Sequence, residues 1–330
     1  MLLPMFAEDA PTVGWPDHPR YLMSYAYVRE DMLQLCRELG VDLIVDSGAF
    51  TTASKGKQMD HEAYLDWLLT NADAITFALS YDVIGDHHAS AVNHAIALER
   101  IGDKVKMVPT WHLGSPMDEL DRMCGEYDFV CIGGAVPFAK APDSLYRACA
   151  QAHRIAARYG TKLHGLGMTG NRILHGLPWY SVDSSAWLSA VRFPSLPLAN
   201  REGRIVQFEH GMYLDNLSRE LVTQYGGNPA VVATKGWSLK AHVGNDIAAI
   251  RRLWVMNACA RAFMYLEGYK GAHQPDAPIR VYLSGDSGNP GGAVSSVVAA
   301  HRAGSPWADV QPPSLWNATV AHPLLQAEPA

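Results

Sequence analysis

At 330 residues and 36.1 kDa, the chain can hold two small domains or one barrel of about 250 residues with extensions. Hydrophobic residues make up 48% and charged residues 18%, a balance that excludes a disordered chain, and no apolar run reaches the ~18 residues of a membrane span. A net charge of −6 excludes a general nucleic-acid coat but leaves room for a local basic groove.

Short apolar runs alternate with helical periodicity through the first 190 residues. Strands are predicted at Arg20–Tyr27, Asp42–Phe50, Ala74–Asp82, Val105–His112, Phe129–Val136, Lys162–Met168 and Trp179–Asp183. Helices are predicted between them at Glu30–Leu39, Met59–Ala72, Ala89–Ile101, Pro116–Gly125 and Pro142–Tyr159. In the last of these, Leu145, Cys149, Ala152 and Ala156 recur at helical spacing, and Gly160 stops the run. Apolar strands alternating with amphipathic helices specify a parallel sheet.

After Trp187 the rhythm breaks. A proline-bearing stretch at Phe193–Leu198 precedes helical patterns at Asn216–Tyr225 and His242–Gly268, and a last strand and helix follow at Ile279–Ser284 and Gly292–Arg302. The expected architecture is an α/β protein of the (β/α)8 TIM-barrel type. Residues 1–19 form an N-terminal extension, 20–187 carry strands one to seven, 188–278 are a helical insertion, 279–303 close the barrel, and 304–330 are an extended tail.

The strand ends carry the chemistry. Asp46-Ser47-Gly48, Asp82, His112, Gly133-Gly134, Gly167-Met168-Thr169 and Asp183-Ser184 fall at C-terminal strand ends, where a barrel builds its active site. Three aspartates, Asp46, Asp82 and Asp183, would meet at one mouth and divide roles by environment, one as nucleophile and another as acid or base. The alternative for each is a helix N-cap. Asp86-His87-His88 reads as a loop or cap rather than a metal site, because adjacent histidines do not both face inward from one element. Trp111 and Trp187 suit either base stacking or the core, and the glycine-rich 285–292 stretch lacks the Lys-Ser/Thr of a phosphate loop.

The five cysteines, Cys36, Cys124, Cys131, Cys149 and Cys259, form no CxxC pair and no even set, so neither a local zinc clip nor a disulfide framework is expected. That usage, with a start lacking a basic signal region, points to an intracellular, cytoplasmic setting and no membrane contact.

Four segments in order resemble the tRNA-guanine transglycosylase superfamily. Val45-Asp46-Ser47-Gly48-Ala49-Phe50 is similar to that family's Asp-Ser-Gly-Gly-aromatic motif, and Ile132-Gly133-Gly134 to its Gly-Gly segment. Leu163-His164-Gly165-Leu166-Gly167-Met168-Thr169 resembles its Gly-Val-Gly-Thr run, and Tyr180-Ser181-Val182-Asp183 stands where its nucleophile strand stands. The resemblance, over roughly residues 20–190, implies Asp183 as the nucleophile on C1′ and Asp46 as the second catalytic carboxylate. It implies Asp82 as the reader of the N1–H and 2-amino edge of guanine, Gly133 and Gly134 as amides against the base, and Phe50 and His164 as the sandwich around it, with Gly165 beside them. His112 occupies the family's glutamine position near the base carbonyl.

Residues 188–278 hold only Cys259, so the family's cysteine-rich zinc site has no counterpart, and no basic C-terminal RNA-binding region follows. Both departures resemble the phage-type DNA 7-deazaguanine transglycosylases, which exchange guanine in DNA for a base such as preQ0. The expectation is therefore a cofactor-free base exchange on DNA with a free 7-deazaguanine as co-substrate, the target base being flipped into the mouth. Lys55, Lys57, Arg192 and Arg204 are the expected phosphate contacts. Alternatives are the same chemistry on tRNA, a carboxylate-based nucleoside or glycoside hydrolase, and a non-catalytic module for flipped or single-stranded bases.

Overall fold

The computed structural model describes residues 13–54, 56, 59–192, 195–209, 214–232, 246–285 and 290–307. The barrel half begins with β1 (Arg20–Ser24), α1 (Glu30–Leu39), β2 (Asp42–Asp46), α2 (Ala49–Ser54), α3 (His61–Thr70), β3 (Phe77–Leu79) and α4 (His87–Ile101). It continues with β4 (Met107–Val108), β5 (Thr110–His112), α5 (Met117–Glu126), β6 (Phe129–Gly133), α6 (Pro142–Tyr159), β7 (Lys162–Gly165), α7 (Asn171–Gly176) and β8 (Ser181–Ser184). Then come α8 (Ser189–Arg192), β9 (Ser195–Ala199), β10 (Ile205–Glu209), α9 (Asn216–Gln224), α10 (Pro229–Val232), α11 (Asp246–His273), β11 (Arg280–Ser284) and α12 (Pro290–Ala303).

Nine parallel segments run in the order β4-β3-β2-β1-β11-β8-β7-β6-β5. β4 and β5 are halves of one strand parted by Pro109, so the ring has eight staves. Proline has no N–H to give the ladder, yet the Pro109 carbonyl still accepts from Cys131 N at 2.9 Å and holds the halves together. The fold is the expected (β/α)8 barrel.

Alternation along each strand builds two cores. Leu22, Ile44, Phe77, Leu79, Val108, Phe129, Cys131 and Tyr282 fill the lumen. Phe77 meets Phe129 and Tyr282 edge-on at centroid distances of 5.0 and 6.2 Å, across the barrel. Each such buried side chain contributes roughly 1.5–3 kcal/mol. The alternate residues, such as Leu43, Val45, Val130, Val182 and Leu283, pack outward against the helices.

The strands stop earlier than their apolar runs predict. Past Asp46, Gly133 and Gly165 the chain turns at Gly48, Gly134 and Gly167, with φ of +82°, +80° and +69°. Phe50 therefore lies on α2 rather than at the end of a strand. Asp86 is the N-cap of α4, its Oδ1 accepting from Ala89 N at 2.9 Å, as its sequence context predicts.

The insertion is not purely helical. β9 and β10 form an antiparallel hairpin, with Ile205 opposite Ala199 and Glu209 opposite Ser195. The long helix α11 takes the place of the barrel's own seventh helix, between β8 and β11. It packs against β11, α12 and β9, which is why residues 254–266 are buried on all sides and no polar stripe shows in its sequence. Among the described residues no helix is long and apolar enough to cross a membrane. The N-terminal extension is anchored where described: Trp15 Nε1 donates to the His301 carbonyl at 3.0 Å, on α12. The tail expected at 304–330 lies outside the described residues beyond Trp307.

Candidate active site

Inward-facing polar residues gather at the C-terminal ends of β2, β5 and β8 and in the loop after β3. Asp46 ends β2, Asp82 follows β3, His112 ends β5 and Asp183 lies on β8. Asp82 and Asp183 lie close enough to Asp46 for their charges to act on its carboxyl. Burial drives the Asp46 carboxyl up to about 7, and the charges of Asp82 and Asp183 add to that, against a hydrogen bond from Gly48 N to its Oδ2 at 3.1 Å. Asp46 is thus poised to carry a proton near neutrality.

Asp183 is almost wholly buried, and Gly167 N donates to its Oδ1 at 2.8 Å. The turn that needs a positive φ at Gly167 aims this amide at the carboxylate. The second oxygen, Oδ2, carries no protein hydrogen bond among the described residues. Asp82 is held from two sides: His112 Nε2 lies 2.8 Å from Oδ2, and Ser47 Oγ lies 3.4 Å from Oδ1. Ser47 was not singled out by sequence; its signal was its place between Asp46 and Gly48, at the start of the turn.

Several expected residues stand elsewhere. His164 is fully buried in the lumen, edge-on to Phe77 and Tyr282, and offers no face for stacking a base. The period-two pattern puts it inward on β7, one layer below the mouth. Phe50 is 60% exposed, and among the described residues no aromatic ring is paired with it. Gly165 points outward: a Cβ there would meet Met168 at 2.7 Å and Trp179 at 2.9 Å, so its smallness serves packing between β7 and the loop below α7. The space over Gly133 is filled by His112, whose Cδ2 would lie 2.9 Å from an added Cβ. Gly133 therefore makes room for His112 to reach Asp82. Gly134 turns the chain and packs against the Leu113 backbone.

Trp111 and Trp187 both belong to the core, and Trp187 Nε1 donates to Ser284 O at 2.9 Å. Arg204 is exposed on the β9–β10 hairpin. Its neighbours bond to α7, Ile205 N donating to Asn171 Oδ1 at 2.8 Å and His175 Nε2 lying 2.7 Å from Gly203 O. Arg192 ends α8. Lys55 and Lys57 lie outside the described residues.

An open cleft runs between α4 and α5, lined by Tyr81, Asp82, His87, His112 and Glu119 among others. His94 lines it too; burial lowers its pKa to about 4, and Nδ1 pairs with Ser80 Oγ at 2.7 Å. All five cysteines are buried and free, and among the described residues no group of three or more His, Cys, Asp or Glu is placed to hold a metal ion.

No known family profile matches the chain, and no curated protein matches it either. Among solved structures, a xylose isomerase domain protein from Planctomyces limnophilus aligns over 86% of this chain and 94% of its own, at 14% identity and a TM-score of 0.28. A similarity that slight transfers no chemistry.

Proposed function

We propose that this protein is a base-exchange transglycosylase that replaces guanine in DNA with a 7-deazaguanine derivative through an aspartyl-glycosyl intermediate. The observation that carries the reading is the meeting of Asp46, Asp82 and Asp183 at one barrel mouth in three different environments. Asp183, with Oδ1 held by Gly167, keeps Oδ2 for attack on C1′. As the C1′–O bond forms, the C1′–N9 bond breaks and the purine leaves with its electron pair. Asp46, protonated up to about pH 7, supplies the proton that the leaving base takes. The incoming deazaguanine returns a proton to Asp46, its N9 bonds to C1′, and the Asp183 carboxylate is released.

Asp82 is the acceptor for the guanine N1–H and 2-amino group, and His112 and Ser47 orient it. DNA is favoured over tRNA because the segment 188–278 offers only Cys259 for the zinc site of the tRNA enzymes. A second reading is a nucleoside hydrolase with the same nucleophile. The 2.8 Å contact of His112 Nε2 with Asp82 Oδ2 favours it, since it occupies an oxygen the base edge would need.

The test is incubation of the protein with labelled guanine or 7-deazaguanine bases and either duplex DNA or tRNA. Label entering DNA supports the reading, and label entering tRNA moves it to the RNA branch. Release of free guanine with no incorporation favours the hydrolase.

A further inference from the structure

His164 is left without a role by the base-binding reading, yet its surroundings are unusual. The ring is fully buried in the lumen, Nδ1 lies 2.8 Å from Ser181 Oγ, and Nε2 has no hydrogen-bond partner. Asp183 Oδ1 lies 3.8 Å from Nε2. β7 and β8 run parallel with His164 opposite Ser181, and Ser181 and Asp183 share the inward face of β8. The three side chains thus form a line from Ser181 through His164 to Asp183.

The tautomer follows from electrostatics. With the proton on Nδ1, the Nε2 lone pair would face a carboxylate oxygen in a buried site, which is repulsive. With the proton on Nε2, the Ser181 hydroxyl donates to Nδ1 and the Nε2–H faces Asp183 Oδ1. The same oxygen already accepts from Gly167 N. At 3.8 Å the Nε2–H faces Oδ1 without bonding to it, and among the described residues Oδ2 has no protein donor.

We propose that His164 is a positioning residue for Asp183: Ser181 holds it as the Nε2–H tautomer, and it fixes the carboxylate with Oδ2 toward the reacting carbon. This rests on the transglycosylase reading for its kinetic consequence, but not for the tautomer itself. Donors on Oδ1 also stabilise the charge that returns to the carboxylate when the glycosyl bond to Asp183 breaks.

Two measurements test it. In the first, His164→Met fills the volume without a donor, and His164→Gln offers an amide N–H at similar reach. Single-turnover formation of the glycosyl-enzyme should fall about 10- to 100-fold in His164→Met, the scale of one hydrogen bond to a charged group, with KM for the free base unchanged. His164→Gln should recover most of that loss. Wild-type rates in His164→Met, or equal losses in both variants, would overturn the proposal and leave His164 as barrel filling. The second measurement needs no substrate and no His164 variant: nitrogen NMR of the wild-type imidazole. The expected result is a proton on Nε2 whose resonance moves in Asp183→Asn. A proton on Nδ1, or no response to Asp183→Asn, overturns it. A wild-type protein that exchanges no base in DNA or tRNA defeats the transglycosylase reading alone, and the NMR result then decides His164 by itself.

Discussion

His112 Nε2 lies 2.8 Å from Asp82 Oδ2, and the absence of a side chain at Gly133 is what allows it. A residue from β5 thereby fixes a carboxylate carried by the loop after β3, the neighbouring stave of the barrel. The carboxylate that would read a base is oriented before any base arrives, which lowers the ordering cost of binding.

Removing that carboxylate separates recognition from chemistry. Asp82→Ala leaves the guanine N1–H and 2-amino donors unpaired, and each lost bond to a charged acceptor is worth roughly 1.5–3 kcal/mol. Guanine binding, measured by calorimetry, should fall about tenfold to several hundredfold. A base without the 2-amino group should lose less between wild type and variant. Equal losses for both bases would show that Asp82 does not read that edge.

The nucleophile gives a sharper outcome. Asp183→Asn keeps the shape beside Gly167 but cannot attack C1′, so exchange should vanish while thermal stability and free-base binding stay close to wild type. Near-normal exchange in this variant would remove Asp183 from the mechanism.

Asp46 predicts a pH-dependent stability. Its folded-state carboxyl titrates at about 7 against an ordinary 3.8, so the folded protein binds this proton more tightly than the unfolded chain. The resulting stabilisation is complete below 3.8 and is lost as pH rises through 7. The total is at most ~4 kcal/mol at 1.36 kcal/mol per unit. Asp46→Asn removes this titration and one charge beside Asp82 and Asp183. In urea unfolding the variant should be the more stable protein at pH 8, with the difference shrinking toward pH 4. A difference between the two that does not change from pH 4 to 8 would contradict the raised carboxyl.

Gly165 distinguishes packing from binding. An added Cβ falls 2.7–2.9 Å from Met168 and Trp179, so Gly165→Ala should destabilise by about 1–3 kcal/mol, as overpacked cores do. Base affinity in the folded fraction should be unchanged. A variant of normal stability with weakened base binding would return Gly165 to the site.

Local order was legible in the sequence. The period-two and helical patterns, the Gly160 stop and the Asp86 cap are set by residues within a few positions of one another, so the barrel and the residues at its strand ends could be read along the chain. The meeting of Asp46, Asp82 and Asp183 followed from strand ends because a parallel barrel brings all those ends to one face. Tertiary structure alone decided the rest. Whether an inward residue lies in the mouth or one layer deeper depends on stagger between strands, which put His164 beneath Asp183 rather than against a base. Which neighbour fills the space over a glycine depends on the adjoining strand, which gave Gly133 to His112 and Gly165 to Trp179. The β9–β10 hairpin and the burial of α11 depend on partners far away in the chain, and no local pattern records those.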